Sequence, residues 1–183
     1  MEEILQQVRD FADKAHGDQM RKYSSERYIV HPVRVMNTCR QYNTSLPVLS
    51  AALLHDVFED TPVSKHMLHQ FLLSIMKEEL ANQVVQLVVE LTDVYTKEKH
   101  PRLNRKRRKQ KEARRLSKVS GEAQTIKYAD IIDNCNEIVN HDPDFAPRFL
   151  SECHLLLLNM AKGEARLHSI AKDIVEKQLR LIN

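Results

Sequence analysis

Apolar residues in this chain recur at intervals of three and four, the repeat of one helix face, and no run of β-branched residues alternates as a half-buried strand requires. Ile4, Leu5, Val8, Phe11, Ala12 and Ala15 form the first such stripe, which ends near Gly17. Glycine occurs only 3 times and proline 6 times, while Leu, Lys, Glu, Arg and Gln are plentiful, so intrinsic propensity favours helix throughout. The fold is therefore predicted to be all-α. At 183 residues the chain is long enough to bury a substantial core, and it fits a single domain, 1–183.

The stripes and breaks predict about eight to ten helices. A polar loop is expected over Met20 to Tyr28, then a helix over Val33 to Tyr42 with His31 at its entrance, since Pro32 suits a first helical turn. Leu46 to Phe58 follows as one helix. Thr61-Pro62-Val63-Ser64 breaks the chain, and Ser64 can cap a helix running to about Ile75. Glu78 to Leu91 is the next, and Thr92 to Pro101 a loop. Arg102 to Lys118 has helical composition but is almost wholly polar, and Ser120-Gly121 interrupts it. Apolar stripes resume over Glu122 to Asn140, around Phe149 to Ala161, and at Ile170, Ile174 and Leu179.

Charge is distributed unevenly. Residues 97 to 118 hold 12 Lys and Arg against 2 Glu, while the remainder holds 16 basic and 23 acidic residues. One strongly basic segment thus sits on an acidic body. Cys39, Cys135 and Cys153 form no C-x-x-C pair and no disulfide framework, which favours a reducing compartment. The start, Met1-Glu2-Glu3-Ile4-Leu5, lacks the features of a secretory signal, and no apolar stretch approaches the roughly 18 residues that span a bilayer. The expectation is a cytoplasmic protein with no membrane partner.

His55-Asp56-Val57-Phe58-Glu59-Asp60 puts an imidazole and three carboxylates directly after the apolar run Ala51-Ala52-Leu53-Leu54. On a continuous helix, His55 and Glu59 share one face and Asp56 and Asp60 the neighbouring one, so four polar groups occupy one sector. Such groups are costly at the end of a core helix unless a cation compensates them. A solvated helix C-terminus is the plain alternative, but three acids there oppose the macrodipole. Two further places offer metal-type ligands, His31 and Asp130. Lys127, Asp130 and Asn134 follow i, i+3, i+7, which gathers a cation, a carboxylate and an amide on one helix face. Two His and two Asp suit manganese, iron or zinc alike.

The order His, then His-Asp, then Asp resembles the HD superfamily of metal-dependent phosphohydrolases. Arg21-Lys22, Tyr28-Ile29-Val30-His31-Pro32, Ala51 to Thr61, Leu91-Thr92-Asp93 and Lys127-Tyr128-Ala129-Asp130 with Asn134 resemble more narrowly the hydrolase domain of the RelA/SpoT family. The stand-alone small alarmone hydrolases of Mesh type are nearest in length, and the likeness runs from about Phe11 to Asn134. The resemblance implies an all-α fold, a manganese ion and removal of the 3′-pyrophosphate of ppGpp or pppGpp. It further implies His31, His55, Asp56 and Asp130 as metal ligands, and Glu59 and Asp60 as the acids that activate or orient water. Arg21, Lys22, Asn134 and Arg102 would contact the nucleotide substrate.

The chain departs from that pattern where the family has basic residues after the last ligand, since Ile131 and Asn136 stand there. The loop between Lys22 and His31 is shorter, and the family's substrate-contacting aromatic has no clear counterpart, although Phe145 and Phe149 lie nearby. Fewer cations leave other phosphorylated nucleotides open, NADPH or a deoxynucleotide among them. A rival from another class is a nucleic-acid-binding module in which 97–118 contacts phosphates and the HD site is vestigial. With only Tyr95 available for stacking, such binding would be non-specific, and nucleic acid is not the expected partner.

Overall fold

A computed structural model describes residues 1–22 and 24–182; Tyr23, inside the expected polar loop, and Asn183 lie outside the described residues. Ten helices and no strand occur among the described residues, which makes the protein all-α, as its periodicity predicts. No described helix is long and apolar enough to cross a membrane. The chain divides into two compact units, Met1–Thr92 and Asp93–Asn183.

The first unit holds α1 (Glu2–His16), α2 (Val30–Arg40), α3 (Leu46–Leu54), α4 (Val57–Asp60), α5 (Lys65–Ile75) and α6 (Glu78–Leu91). Pro47 lies in the first turn of α3, and every residue from Pro47 to Leu54 is buried, Ser50 being the one polar side chain among them, so this helix forms the unit's centre. Helices α1, α2 and α6 pack around it. The first helix ends where Gly17 takes a φ of 56°, a left-handed conformation that glycine adopts without a Cβ clash. Between α1 and α2 the polar segment folds back on itself. Met20 and Arg27 form an isolated antiparallel bridge, and the Tyr28 N–H donates to the Gln19 carbonyl at 2.9 Å.

Three boundaries differ from expectation. The helix predicted over Leu46 to Phe58 is broken at His55-Asp56, with α4 a separate single turn. The helix expected from Val33 begins at Val30, so His31 lies within its first turn. The basic helix begins at Arg105, because the Asn104 side chain accepts from the Arg107 N–H at 2.9 Å and caps it, leaving Arg102 in the preceding turn.

The second unit holds α7 (Arg105–Leu116), α8 (Gly121–His141), α9 (Ala146–Asn159) and α10 (Ala165–Ile182). Helix α8 packs on α9 and α10, and α7 packs on α9. Polar side chains of α8 clasp the loop between α9 and α10. The Tyr128 hydroxyl donates to the Met160 carbonyl at 3.0 Å, Gln124 Oε1 accepts from the Lys162 N–H at 2.8 Å, and Thr125 Oγ1 accepts from the Glu164 N–H at 2.9 Å. Gln124 also donates to the Leu116 carbonyl at 2.9 Å, which ties in the end of α7. Burial raises the Tyr128 pKa above its ordinary value.

The loop approaches α8 so closely that Gly163 has no room for a side chain. A Cβ there would lie 2.5 Å from Tyr128 Cε2 and 2.8 Å from the Thr125 backbone nitrogen. We expect Gly163→Ala to destabilise the protein by about 1–3 kcal/mol, which thermal denaturation should register as a Tm lower by roughly 5 °C.

Candidate metal centre

The first unit brings His31, His55 and Asp56 together. One ligand atom from each lies within 4.8 Å of the other two. His31 comes from the first turn of α2, His55 from the end of α3, and Asp56 from the junction with α4. The imidazoles are buried, at 1 % and 2 % side-chain exposure, whereas Asp56 keeps 20 % and opens the cluster to solvent. His55 Nε2 stands 2.9 Å and His31 Nε2 3.7 Å from the same atom, Asp56 Oδ2. The two rings meet edge to face, 5.1 Å between centroids.

The proton on His55 follows from its other contact. His55 Nδ1 lies 2.8 Å from the Ala52 carbonyl, which can only accept, so Nδ1 carries the hydrogen. In the neutral ring Nε2 then presents a lone pair toward a carboxylate oxygen. Two electron-rich atoms at that distance need positive charge between them, either a proton or a metal ion. Two imidazole nitrogens and a carboxylate oxygen form a donor set that a divalent transition ion accepts. The residues present fit a metal.

His55 and Asp56 keep right-handed helical dihedrals between α3 and α4, and Asp56 faces the histidines. Both the Glu59 and Asp60 N–H groups donate to the Asp56 carbonyl at 3.0 Å, and the Thr61 hydroxyl closes the turn on the Val57 carbonyl at 2.6 Å. Glu59 and Asp60 are exposed on the one-turn helix α4, and Asp60 receives a long hydrogen bond from Gln19, 3.5 Å.

Tyr28 is the addition. Its hydroxyl donates to Asp56 Oδ2 at 2.5 Å, the atom both histidines face. The His16 ring lies against the Tyr28 ring, 4.4 Å between centroids, and the Arg21 guanidinium sits 5.9 Å from that ring's centre. Arg21 is thus one side chain removed from the Asp56 carboxylate, while Lys22 is exposed beside it. Nothing in the sequence marks Tyr28 as a partner of Asp56, which is 28 residues on. The one available signal is its place a helical turn before His31.

In the second unit, Lys127 Nζ pairs with Asp130 Oδ2 at 2.7 Å and the Asn134 amide donates to Oδ1 at 2.6 Å, so the predicted face of α8 forms. Asp130 is buried. Cys135 and Cys153 are free, buried and in contact close to it, and that contact together with burial holds the Cys153 thiol well above its ordinary pKa. Arg102 is exposed in its turn. A groove of about 870 Å³ between α7 and α9 is lined by Arg105, Lys109 and Arg148 with Glu152.

The HD domain family matches residues 9–156 of this chain. Guanosine-3′,5′-bis(diphosphate) 3′-pyrophosphohydrolase of Borreliella burgdorferi is 28 % identical over 179 residues, which cover 93 % of this chain and 24 % of the relative. The protein of the same name in Aquifex aeolicus is 33 % identical over 92 residues, 50 % of this chain and 12 % of the relative. The chain thus spans at most a quarter of the length of these relatives. A solved structure described as a metazoan orthologue of SpoT that hydrolyses ppGpp and plays a role in starvation responses superposes with a TM-score of 0.79. It covers 96 % of this chain and 94 % of that one at 24 % identity, which places both in the same fold.

Removing the phenol hydroxyl takes away the short hydrogen bond that Asp56 Oδ2 accepts from Tyr28. Tyr28→Phe is expected to weaken Mn²⁺ binding by about tenfold or more, as loss of an outer-shell partner does. Isothermal titration calorimetry reads this directly, and an unchanged affinity would show that the phenol does not restrain the ligand.

Proposed function

The chain belongs to the HD-domain family, and on that premise we propose that it is a metal-dependent nucleotide phosphohydrolase that removes the 3′-pyrophosphate of ppGpp or pppGpp. The observation that carries this reading is the convergence of His31, His55 and Asp56 on one point, within a family whose matched relatives bear that activity in their names. The family match runs through both compact units, which supports reading 1–183 as a single HD domain. We place the protein in the cytoplasm, with a small anionic nucleotide as its partner.

His31, His55 and Asp56 would hold a divalent ion, manganese in this reading. Asp130 is the proposed fourth ligand; this rests on the sequence resemblance, with Lys127 and Asn134 orienting its carboxylate. When bound, the ion lowers the pKa of water and polarises a phosphoryl oxygen. Glu59 and Asp60 are the proposed acceptors of the water proton, and their exposure on α4 suits groups that must exchange protons with solvent. Arg21 and Lys22 would stabilise negative charge at the nucleotide, Arg21 being placed by its contact with Tyr28. Asn134 and Arg102 are the remaining proposed substrate contacts. With water added, ppGpp yields GDP and pyrophosphate.

The test is a nucleotide panel of ppGpp, pppGpp, NADPH and deoxynucleotides, incubated with Mn²⁺ and then with chelator, with products identified by mass. GDP and pyrophosphate should appear only with metal. Asp56→Ala should lower kcat/KM by more than about a hundredfold, beyond the effect of an outer-shell loss. Faster turnover of NADPH or a deoxynucleotide would move the substrate assignment. No turnover of any member would overturn the enzyme reading.

A further inference from the structure

The proposed hydrolysis uses little of the basic stretch 97–118, and the structure sorts its cations into two sets. On one side of α7 the charges are compensated. Arg105 makes a bidentate ion pair with Glu152 at 2.6 and 2.8 Å, Lys109 pairs with Asp93 at 3.2 Å, and Arg115 pairs with the buried Glu112 at 2.5 Å. The Glu152 contact raises the Arg105 pKa further. Glu112 also accepts from the Val94 and Tyr95 N–H groups, at 3.2 and 2.9 Å, and so fixes the preceding loop against the helix.

The other side is uncompensated. At about 100° per residue, Arg107, Lys111 and Arg114 fall within one narrow sector opposite the buried Glu112, Ala113 and Leu116. Lys118 continues the row in the turn after the helix. All four are exposed, and none is paired with a carboxylate among the described residues. With a rise of 1.5 Å per residue the row extends about 15 Å. Two shallow hollows of about 260 and 250 Å³ lie along it in series and share Lys111 and Arg114. Beside the second, Tyr95 is stacked on His100, 4.9 Å between centroids, and Lys111 Nζ sits 5.4 Å from the Tyr95 ring centre.

We propose that this face of α7 is a track for the phosphate backbone of single-stranded nucleic acid. Four aligned cations without counter-charges suit a polymer with a repeating negative charge better than one small anion, which a concave site would hold. An anionic membrane would want apolar side chains beside the cations, yet Leu103 is the one aliphatic residue lining either hollow. Tyr95, half-buried and lining the second hollow, puts an aromatic ring beside the cations, the element that single-strand platforms add to a cationic strip.

Fluorescence anisotropy of a labelled single-stranded RNA of about twelve nucleotides with the full chain tests this. Wild type should bind with a log K against log salt slope of about −3, from roughly four phosphate contacts. The variant Arg107→Gln/Lys111→Gln/Arg114→Gln/Lys118→Gln should lose about tenfold or more at low salt. A control, Arg9→Gln/Lys14→Gln/Lys177→Gln/Arg180→Gln, removes equal charge from exposed positions elsewhere and should bind as wild type does. Its ppGpp turnover and that of the track variant should stay within about twofold of wild type, as for ordinary surface changes. Equal loss of RNA binding in both variants would overturn the track, as would phosphatidylserine vesicles binding in place of RNA. Loss of ppGpp turnover in the track variant alone would likewise assign the face to the substrate. RNA binding by a chain that hydrolyses nothing would uphold the track and overturn only the proposed reaction.

Discussion

The hydrogen bond from His55 Nδ1 to the Ala52 carbonyl decides which nitrogen meets Asp56, and the chemistry of the first unit follows from that choice. Because the carbonyl lies three residues back on the same helix, the ring is locked by its own element rather than by a distant partner. The helix breaks at His55-Asp56 and restarts at Val57; Asp56 faces both imidazoles, and Glu59 and Asp60 are exposed. The proposed ligands and the exposed acids are separated by a single turn of backbone.

Burial gives that arrangement its energetic meaning. Helix α3 is buried on every side, so its C-terminal end delivers His55 into a water-poor environment where unbalanced polar groups are expensive. Tyr28 shares the cost by donating to Asp56, and the partial exposure of Asp56 leaves one side through which an ion and water can enter. A fully buried triad would resist loading; a fully exposed one would bind weakly.

Helices with one clear apolar stripe, such as α1 and α6, were legible because the 3.6-residue period survives any tertiary context. The break at His55-Asp56 was not, since Val57 is buried and Phe58 half-buried, and they extend the apolar pattern straight through it. The start of α7 is not legible in the basic composition, which runs from Arg102 past Asn104 into the helix, and the cap marks the boundary. The histidines and Asp56 were legible as a chemical cluster, and the Lys127–Asp130–Asn134 face followed from helical spacing alone. Tyr28 and the sorting of charges around α7 were illegible for one reason. Both depend on residues far apart in sequence, Asp56 in one case and Glu152 and Asp93 in the other, and local pattern holds no record of such pairings.

The clasp of Gln124, Thr125 and Tyr128 on the loop between α9 and α10 bears on how the second unit opens. The N–H groups of Lys162 and Glu164 are held by side chains of a single buried helical stretch. For those amides to exchange with solvent, the loop must part from the beginning of α8, to which Gln124 also ties the last turn of α7. A loop that looks like a connection therefore belongs, in terms of cooperative opening, to the helix it crosses.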